Sequence, residues 1–247
     1  MNNMSNENST GGCVLVTGAS SGIGAATAAE LAARGLTVGC LSRRGDIPAG
    51  PRLLSFPADV RDEDAVAAAF ERLIQAAGPL RGIVNSAGRH LECASAEVTT
   101  DQARALMDLN FLATFAVCRL AYPHLRAAGG GTIVNVGSFY DRLGVARNAA
   151  YAASKAAIAG LTRCLAVEWA GDAIRVLDVA PGYVRTALNE DFFADPEMLA
   201  KVARRIPVRR VGEPTEIGRF IAGLITDPIA FLTGETIYLD GAQNIAL

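Results

Sequence analysis

Residues 13–24 read Cys13-Val14-Leu15-Val16-Thr17-Gly18-Ala19-Ser20-Ser21-Gly22-Ile23-Gly24, and the architecture of the chain is read most directly from them. The first five residues are apolar or β-branched and predict a buried strand. Glycines follow at short intervals, and a helical pattern runs from Gly22 to Ala33 before Arg34-Gly35 ends it. The stretch therefore predicts a strand that passes directly into a helix through a tight glycine turn.

Each glycine of this turn has a distinct physical role in binding a dinucleotide. Gly18 permits the tight turn, Gly22 lets the backbone approach a pyrophosphate, and Gly24 lets the helix pack closely on the strand. The helix N-terminus offers N–H donors and a positive dipole to the phosphates. The hydroxyls of Ser20 and Ser21 add possible contacts. The turn thus predicts dinucleotide binding, and a plain strand–helix connection is the alternative.

The alternation of short apolar runs with helical patterns continues along the chain. The predicted strands are Cys13–Thr17, Thr37–Ser42, Leu53–Ala58, Gly82–Asn85, Gly131–Val136, Ile174–Val179 and Thr236–Leu239. The predicted helices are Gly22–Ala33, Asp62–Ala77, Thr100–Ala127, Tyr151–Ala170 and Pro214–Thr226. This order predicts an α/β fold with a doubly wound, Rossmann-like parallel sheet of about seven strands. We expect one domain over residues 11–247, after a flexible polar segment at residues 1–10.

The crossover from the second to the third predicted strand departs from this pattern. Between Ser42 and Leu53 the sequence offers only RRGDIPAGPR, where a helix usually connects parallel strands. We expect a coil or a single turn there, which leaves the third strand poorly covered on that side.

Composition narrows the class of protein. The 247 residues are 51% hydrophobic and 19% charged with a net charge of −2, which argues against disorder and against a nucleic-acid partner. No apolar run approaches the roughly 18 residues that span a bilayer, and the N-terminus does not resemble a secretory signal. We therefore expect a cytoplasmic protein without membrane contact. The five cysteines are scattered and the two histidines lie far apart, so no metal site is expected.

A tyrosine and a lysine carry the catalytic prediction. Tyr151 and Lys155 lie four residues apart on a predicted helix, so their side chains share one face. Only two of the 23 basic residues are lysines, which indicates a chemical need for a compact ammonium at Lys155. Hydride reduction of a ketone requires a proton at the forming alkoxide. A nearby ammonium and the oxidised nicotinamide ring together would lower a phenol's pKa from about 10. Tyr151 is the predicted general acid or base, and Ser138 would orient the substrate oxygen unless it is an ordinary turn residue.

Together these motifs resemble those of the short-chain dehydrogenase/reductase family, in which TGxxxGIG is the dinucleotide signature. The resemblance covers essentially the whole chain after the polar N-terminus. It implies that Asn110 completes an Asn–Ser–Tyr–Lys tetrad by holding a water that links Lys155 to solvent, whereas a buried structural amide is the alternative. The further cofactor contacts that it implies are Asp59 and Val60 at the adenine, Asn85, Ala87 and Gly88 after the fourth strand, and Pro181, Gly182, Val184 and Thr186 near the nicotinamide. Asn85 would also stabilise the fourth strand.

The end of the second strand bears on the choice between NAD and NADP. Family members that prefer NAD place an acid there, whereas this strand ends Ser42-Arg43-Arg44. An arginine binds the 2′-phosphate that a carboxylate would repel, so Arg43 and Arg44 predict NADP(H) as the preferred cofactor, with NAD(H) as the alternative. In the alternative interpretation the two arginines form a solvated turn and Asp46 binds the ribose. For Asp59 the separate alternative is a helix cap, which could coexist with the adenine contact.

The predicted substrate is a small molecule that carries a carbonyl or a secondary alcohol. The chain looks closest to the 3-oxoacyl-thioester reductases, although Gly129–Gly131 and Gly171-Asp172 stand where reductases of carrier-protein substrates place basic residues. A sugar, polyol or other small-alcohol dehydrogenase that uses NAD(H) is one alternative. A non-catalytic NADP-sensing regulator is another, which the retained Tyr151, Lys155 and Ser138 disfavour.

The same resemblance bears on the substrate side and on assembly. The family places a mobile lid at the position of residues 187–205, where the alternative is an amphipathic surface helix. The predicted helices Thr100–Ala127 and Tyr151–Ala170 are apolar on more than one face. In the family these helices pack between subunits, so a homotetramer is expected, with a dimer as the alternative. The candidates for the substrate pocket are His90, Tyr140, Asp141, Arg142 and Tyr183.

Overall fold

The computed structural model describes residues 11–47, 49–186, 189 and 194–246. Its strands are β1 (Cys13–Thr17), β2 (Thr37–Ser42), β3 (Leu53–Pro57), β4 (Leu80–Asn85), β5 (Gly131–Val136), β6 (Ile174–Pro181) and β7 (Thr236–Leu239). They form one seven-stranded sheet in the order β3-β2-β1-β4-β5-β6-β7, and every neighbouring pair is parallel. The predicted doubly wound sheet is confirmed. Its strand order reverses between β1 and β4, which opens a crevice at the carboxyl edge.

Helices cover both faces of this sheet. The described part of the chain contains α1 (Gly22–Ala33), α2 (Glu63–Ala77), α3 (Thr100–Met107), α4 (Ala113–Ala127), α5 (Ala149–Trp169), α6 (Pro196–Arg205) and α7 (Pro214–Thr226). The predicted helices lie at these positions, with α6 inside the stretch for which a lid or a surface helix was expected. The observed ends differ from the predicted ones by one or two residues.

The predicted helix Thr100–Ala127 is interrupted by one irregular turn. Residues Asp108–Leu112 form a π-helical turn between α3 and α4, so the prediction of a single regular helix is wrong there. Hydrophobic periodicity indicates which face of a helix is buried. It does not reveal the one extra residue that turns the i→i−4 hydrogen bonds of an α-helix into a π-turn. Such π-turns often occur at functional sites, and this one contains Asn110.

The same helical run corrects the expectation about apolar length. Thr100–Ala127 spans 28 residues and contains an 18-residue window with a mean hydropathy of 1.3, which is long and apolar enough to cross a membrane by length and composition alone. Within the protein, Val117, Ala121 and Leu125 of α4 are fully buried in the core on one side of the sheet. Packing against the sheet therefore accounts for the apolar residues on that face of the helix, whereas Leu112 and Phe115 stay exposed.

Each central strand divides its side chains between two cores, because successive residues point to opposite faces. In β1, Cys13 and Leu15 lie in the core formed with α2 and α4. Val14 and Val16 lie in the opposite core with α1 and α7. Because both faces of β1 are buried, the strand is held in the centre of the sheet. The position of its carboxyl end is set by the same packing.

The crossover between β2 and β3 contains no helix among its described residues, as expected. It consists of bends and a turn, and the amide of Gly45 donates to the carbonyl oxygen of Ser42. Four of the five β3 residues stay partly or fully exposed, with Phe56 as the buried one. The expected thin cover over this edge strand is confirmed.

The packing of α7 on α1 generates a stability prediction. A Cβ on Gly218 would lie 2.8 Å from both Ala26 C and Thr27 N, which are backbone atoms of α1. We expect Gly218→Ala to lower the free energy of unfolding by about 1–3 kcal/mol, because the helices must separate. Urea denaturation followed by circular dichroism measures the change.

Gly223 on the same helix is the matched control. A Cβ there would meet only Arg34 Nη1, at 3.7 Å, which is ordinary contact. Gly223→Ala should be neutral or stabilising by up to about 1 kcal/mol, because alanine favours the helix. Equal losses in both variants would contradict the assigned close approach.

Candidate active site

A cleft of about 800 Å³ opens at the carboxyl edge of the sheet, where the strand order reverses. Most of the residues predicted to form the site line this cleft. They are Gly18, Ser20, Ser21, Gly22, Ile23, Arg43, Arg44, Asp59, Val60, Ala87, Gly88, Ser138, Tyr151, Lys155, Pro181, Gly182, Val184 and Thr186. Gly24, Asn85 and Asn110 do not line it, and each has a structural role instead.

The glycine turn lies where the cleft crosses β1. Gly18 and Gly22 adopt φ values of +69° and +55°, which glycine adopts without strain. A Cβ on Gly24 would lie 2.4 Å from the carbonyl oxygen of Gly18, so a side chain at this position would prevent the tight turn. Ser21 caps α1 without a side-chain hydrogen bond, and no acidic residue lies in the first turn. This helix terminus fits the pyrophosphate of a dinucleotide.

The wall next to the turn carries the predicted arginines. Arg44 Nε lies 3.1 Å from Asp46 Oδ2 in an exposed ion pair, so Asp46 is engaged outside the predicted ribose site. Arg43 lies in the cleft wall close enough to Asp59 to help lower the pKa of that carboxyl. This wall therefore presents a guanidinium to the cleft, which fits a 2′-phosphate.

The two carboxylates after β3 have different roles. Hydrogen bonds from Arg61 are the main cause that lowers the pKa of Asp59 to about 2, and Asp59 Oδ2 lies 2.7 Å from Arg61 Nη2. The cap of α2 is Asp62, whose Oδ1 accepts from the amide of Ala65 at 3.0 Å. The alternative reading of Asp59 as the helix cap is therefore wrong, and the carboxylate remains in the cleft wall.

The strand ends around the cleft are joined by buried polar side chains. Asn85, predicted as a cofactor contact, points into the sheet, where its Nδ2 donates to Asn135 Oδ1 at 2.9 Å. Thr17 Oγ1 accepts from the amides of Ser86 and Ala87, each at 3.2 Å. This cross-strand link agrees with the expectation that Asn85 stabilises the fourth strand, because it joins β4 to β5.

Asn110 fastens the loop after β4 to α5. It is buried, its Oδ1 accepts from the amide of Arg89 at 3.0 Å, and its Nδ2 donates to the Arg89 carbonyl and to Ser154 Oγ at 3.0 Å each. A Cβ on Gly88 would lie 3.2 Å from Asn110 Oδ1, so the loop passes closely over the amide. The structure therefore supports the structural alternative for the side chain of Asn110.

Lys155, Tyr151 and Ser138 converge at the inner end of the cleft. Lys155 Nζ donates to the carbonyl oxygen of Val136 at 2.7 Å and lies 5.9 Å from the centre of the Tyr151 ring. Burial lowers the pKa of Lys155, and the charge of Asp178 opposes that shift. The three side chains thus form one polar cluster on the sheet edge.

The pKa of Tyr151 is governed by burial. Burial raises it above its ordinary value of 10.0, and the hydrogen bond with Ser138 only partly offsets that rise. The expected lowering concerns the combined charge of the ammonium and the oxidised nicotinamide, whereas in the protein by itself desolvation of the phenolate is the largest effect. The phenol consequently holds its proton firmly at neutral pH.

Aromatic side chains surround Tyr151 on the substrate side. The His90 ring stands edge-on to Tyr151 with centroids 4.7 Å apart, and Tyr140 does so at 5.7 Å. The hydroxyls of Tyr140 and Tyr183 lie 3.1 Å apart, and His90 Nε2 bonds to Asn148 Oδ1. These rings form a rigid wall beside the reacting position.

Two other candidates for this pocket lie elsewhere. Asp141 Oδ2 accepts from the hydroxyl of Tyr238 at 2.7 Å, and the Arg142 guanidinium lies 4.6 Å from the centre of the Tyr238 ring. Neither residue lines the cleft. Their side chains instead brace the β7 side of the sheet.

The loop after β6 closes the cleft opposite the glycine turn. A Cβ on Gly182 would lie 2.7 Å from Asp240 Cα, so this loop runs tightly along the end of β7. Asn189 holds the loop, since its Oδ1 accepts from the amide of Thr186 at 2.9 Å and its Nδ2 donates to the Val184 carbonyl at 2.8 Å. The predicted lid includes residues 187–188 and 190–193, which lie outside the described residues.

Comparison with known proteins identifies the family. A family model described as Enoyl-(Acyl carrier protein) reductase matches residues 18–243. The chain is 34% identical over 246 residues to 3beta-hydroxysteroid dehydrogenase 1 of Eggerthella lenta, covering 95% of this chain and 94% of that protein. It is 38% identical over 239 residues to cis-4-hydroxycyclohexanecarboxylate dehydrogenase of Sinomonas cyclohexanicum, covering 93% and 95%. The chain belongs to the short-chain dehydrogenase/reductase family.

Membership of this family gives the general activity. This short-chain dehydrogenase/reductase is an oxidoreductase that acts on alcohol and carbonyl groups, and its family uses NAD(P)(H). A solved structure described as ElxO with NADP bound matches it with a TM-score of 0.88 at 25% identity, covering 96% of this chain and all of that one. In the described part of this short-chain dehydrogenase/reductase, no group of three His, Cys, Asp or Glu side chains could hold a metal ion.

Several cleft residues were missed from the sequence of this short-chain dehydrogenase/reductase. The position of Ser42 at a strand end was a usable signal, because strand ends meet at one edge of a parallel sheet. Asn148 and Asn189 gave no such signal, since their roles depend on His90 and Thr186 across a loop. The missed lining residues with polar or charged side chains are Ser42, Ser86, Arg89, Glu92, Asn148 and Asn189.

The network at Asn110 generates a prediction about local stability. Asn110→Ala leaves the Arg89 amide and carbonyl and the Ser154 hydroxyl without their side-chain partner. We expect a loss of about 1–3 kcal/mol in the free energy of unfolding, because buried polar groups lose their hydrogen bonds. Hydrogen exchange should accelerate at residues 87–90, while β5 serves as an internal control. Unchanged exchange at Arg89 would contradict the assigned tether.

Proposed function

We propose that this protein is an NADP(H)-dependent oxidoreductase that interconverts a ketone and a secondary alcohol, with Tyr151 as the general acid/base. One observation carries the proposal. The cluster of Ser138, Tyr151 and Lys155 stands at one end of a continuous cleft whose other end holds the glycine turn and Arg43. A dinucleotide with its phosphates on the turn extends toward this cluster, as the fold's binding mode requires.

Each side chain of the cluster has a defined task. When bound, the reduced nicotinamide supplies the hydride that adds to the carbonyl carbon. Ser138 donates a hydrogen bond that orients the carbonyl oxygen. The Tyr151 hydroxyl gives its proton to that oxygen as negative charge develops there, and the C=O double bond becomes C–OH. Lys155 faces the ring of Tyr151 and stabilises the phenolate that proton loss leaves.

The titration of the tyrosine is consistent with these tasks. Because burial raises its pKa, Tyr151 enters the reduction with its proton in place. In the oxidation direction the same residue must accept a proton, which requires added positive charge nearby. The ammonium of Lys155 and the oxidised nicotinamide provide this charge.

Support for NADP comes from the wall around β2. Arg43 lies at the cleft and no carboxylate ends β2, which removes the repulsion that a 2′-phosphate would meet. The structural relative ElxO is described with NADP bound. NAD(H) use is the alternative that the binding measurement below distinguishes.

Support for a cyclic substrate comes from the aromatic wall. Tyr140, Tyr183 and His90 present ring faces and edges that suit the flat, apolar body of an alicyclic ring. The two curated relatives are named for a hydroxysteroid and a hydroxycyclohexanecarboxylate. A thioester, sugar or polyol substrate, the homotetramer and the cytoplasmic location stay predictions.

The first functional prediction concerns Tyr151. Tyr151→Phe should lower kcat for ketone reduction at least about 100-fold, because the proton donor is lost. NADPH affinity should stay nearly unchanged, measured by fluorescence titration. Loss of NADPH absorbance with a panel of cyclic ketones, open-chain ketones, sugars and acyl thioesters measures turnover and identifies the substrate class.

Tyr122→Phe is the matched control. The Tyr122 hydroxyl bonds to Asp172 Oδ2 at 2.7 Å, at the opposite edge of the sheet. This variant should keep full turnover. If Tyr151→Phe kept full turnover as well, Tyr151 would not be the acid.

The second functional prediction concerns cofactor choice. Arg43→Ala should weaken NADPH binding roughly 10-fold or more and leave NADH binding nearly unchanged, because only NADPH carries the 2′-phosphate. Arg52→Ala is the matched control, since Arg52 is exposed and outside the cleft. Isothermal calorimetry measures all four affinities. Equal losses of NADPH and NADH affinity in Arg43→Ala would contradict the binding of the 2′-phosphate by Arg43.

A further inference from the structure

A carboxylate lies in the middle of the most completely buried strand. All eight residues of β6 are buried, and among them Asp178 has no solvent exposure. An ionised carboxylate removed from water is strongly destabilising unless an opposite charge and hydrogen bonds compensate it. A buried Asp178 therefore requires a positively charged or hydrogen-bonding partner. The sequence pattern of β6 does not indicate which residue that partner is.

The hydrogen bonds of Asp178 are incomplete. Its Oδ2 accepts from Thr236 Oγ1 of β7 at 3.1 Å. Its Oδ1 is buried without a hydrogen bond of ordinary geometry among the described residues, and the nearby Gly137 amide only partly opposes the rise in the pKa of Asp178 that burial causes. A Cβ on Gly137 would lie 2.4 Å from that Oδ1, so the carboxylate lies directly under the Gly137 backbone. Hydrogen bonds alone do not explain why this acid is tolerated.

The chain segment above Asp178 carries the groups of the proposed active site. The carbonyl of Val136 accepts from Lys155 Nζ at 2.7 Å, Gly137 covers the carboxylate, and Ser138 follows. Lys155 is itself buried. An ammonium and a carboxylate, both removed from water, therefore lie against the same short backbone segment, Val136-Gly137.

The other ionisable groups near Asp178 are already engaged. Asp141 accepts from the Tyr238 hydroxyl at 2.7 Å, and the Arg142 guanidinium lies over the Tyr238 ring. The centre of the Tyr151 ring lies 5.9 Å from Lys155 Nζ. The charge of Lys155 favours the ionised form of Asp178, and the charge of Asp141 disfavours it.

We propose that Asp178 is the buried counter-charge of Lys155, a positioning residue that keeps the ammonium charged and held at the Val136 carbonyl while it supports Tyr151. The pKa shifts of the two residues, which have opposite directions, are consistent with this pairing. Burial lowers the pKa of Lys155 and raises that of Asp178, and each charge opposes the shift of the other. The inference rests on the proposed function only for its effect on turnover.

Removing the charge of Asp178 should lower the pKa of Lys155. Asp178→Asn keeps the size and the contact with Thr236 but removes the negative charge. The ammonium then has lost the charge that opposed its desolvation, so Lys155 releases its proton at lower pH. An activity that needs the ammonium is consequently lost at lower pH as well.

The decisive measurement does not depend on catalysis. The chain contains two lysines, Lys155 and Lys201, so selective ¹³C labelling of lysine gives two side-chain signals, and Lys201→Arg assigns them. In Asp178→Asn the titration midpoint of Lys155 should fall by about one pH unit, and that of Lys201 should not move. An unchanged or raised midpoint for Lys155 overturns the pairing, whatever the enzyme does.

Turnover provides the second measurement. In Asp178→Asn the alkaline limb of the kcat profile for reduction should move to lower pH by about the same amount. The matched control is Asp172→Asn, which removes a carboxylate bonded to Tyr122 far from the cleft. A uniform loss of kcat at all pH values, without a shifted limb, would show a merely structural role and overturn the proposal.

A second variant keeps the test valid if Asp178→Asn does not fold. Thr236→Val removes the hydroxyl that donates to Asp178 and leaves the carboxylate itself. A less stabilised anion holds its proton to higher pH, so the Lys155 midpoint should fall in the same direction by a smaller amount. No fall in this variant, with its fold confirmed by circular dichroism, contradicts the pairing. A shifted Lys155 midpoint, together with an unmutated protein that turns over none of the carbonyl substrates, would instead contradict only the proposed function.

Discussion

A charged amine without surrounding water has to find its hydrogen bonds and its balancing charge in the protein. Lys155 meets this requirement by reaching from α5 to the carbonyl of Val136 at the end of β5. That hydrogen bond ties the helix to the strand end at one defined point. Tyr151, one helical turn earlier, and Ser138, two residues after Val136, are thereby brought to the same end of the cleft. The proposed chemistry depends on this single attachment.

Polar side chains buried at the strand ends make that attachment rigid. Asn85 joins β4 to Asn135 of β5, and Thr17 of β1 holds the loop that follows β4. Asn110 adds the link from that loop to α5. Such groups contribute little to a hydrophobic core, but they fix the positions of neighbouring elements to within a hydrogen-bond length. A cleft built from the ends of six strands, β1 to β6, needs this kind of connection to keep one shape.

The course of the main chain was predictable to a large extent, because strand and helix periodicity are local properties. The glycine turn, the strands and the helix that carries Tyr151 and Lys155 were found at or near their observed positions. The π-turn around Asn110 was not, since an inserted residue leaves the apolar pattern almost unchanged. Asn85 does stabilise its strand, through the bond to Asn135, but the sequence could not name that partner, which is 50 residues away. The capping role considered for Asp59 belongs to Asp62, because two nearby carboxylates compete for one helix end.

The amino-acid sequence by itself determined the layered α/β architecture and the two motifs that carry the proposed chemistry. Both depend on short-range spacing, which the chain displays directly. Only the tertiary structure decided what surrounds those motifs. It turned His90, Tyr140 and Tyr183 into one wall and raised the pKa of Tyr151 through burial. It also placed Asp178 beneath the segment that holds Lys155. Desolvation and charge pairing are properties of the packed interior, and no linear pattern specifies which distant residues will share it.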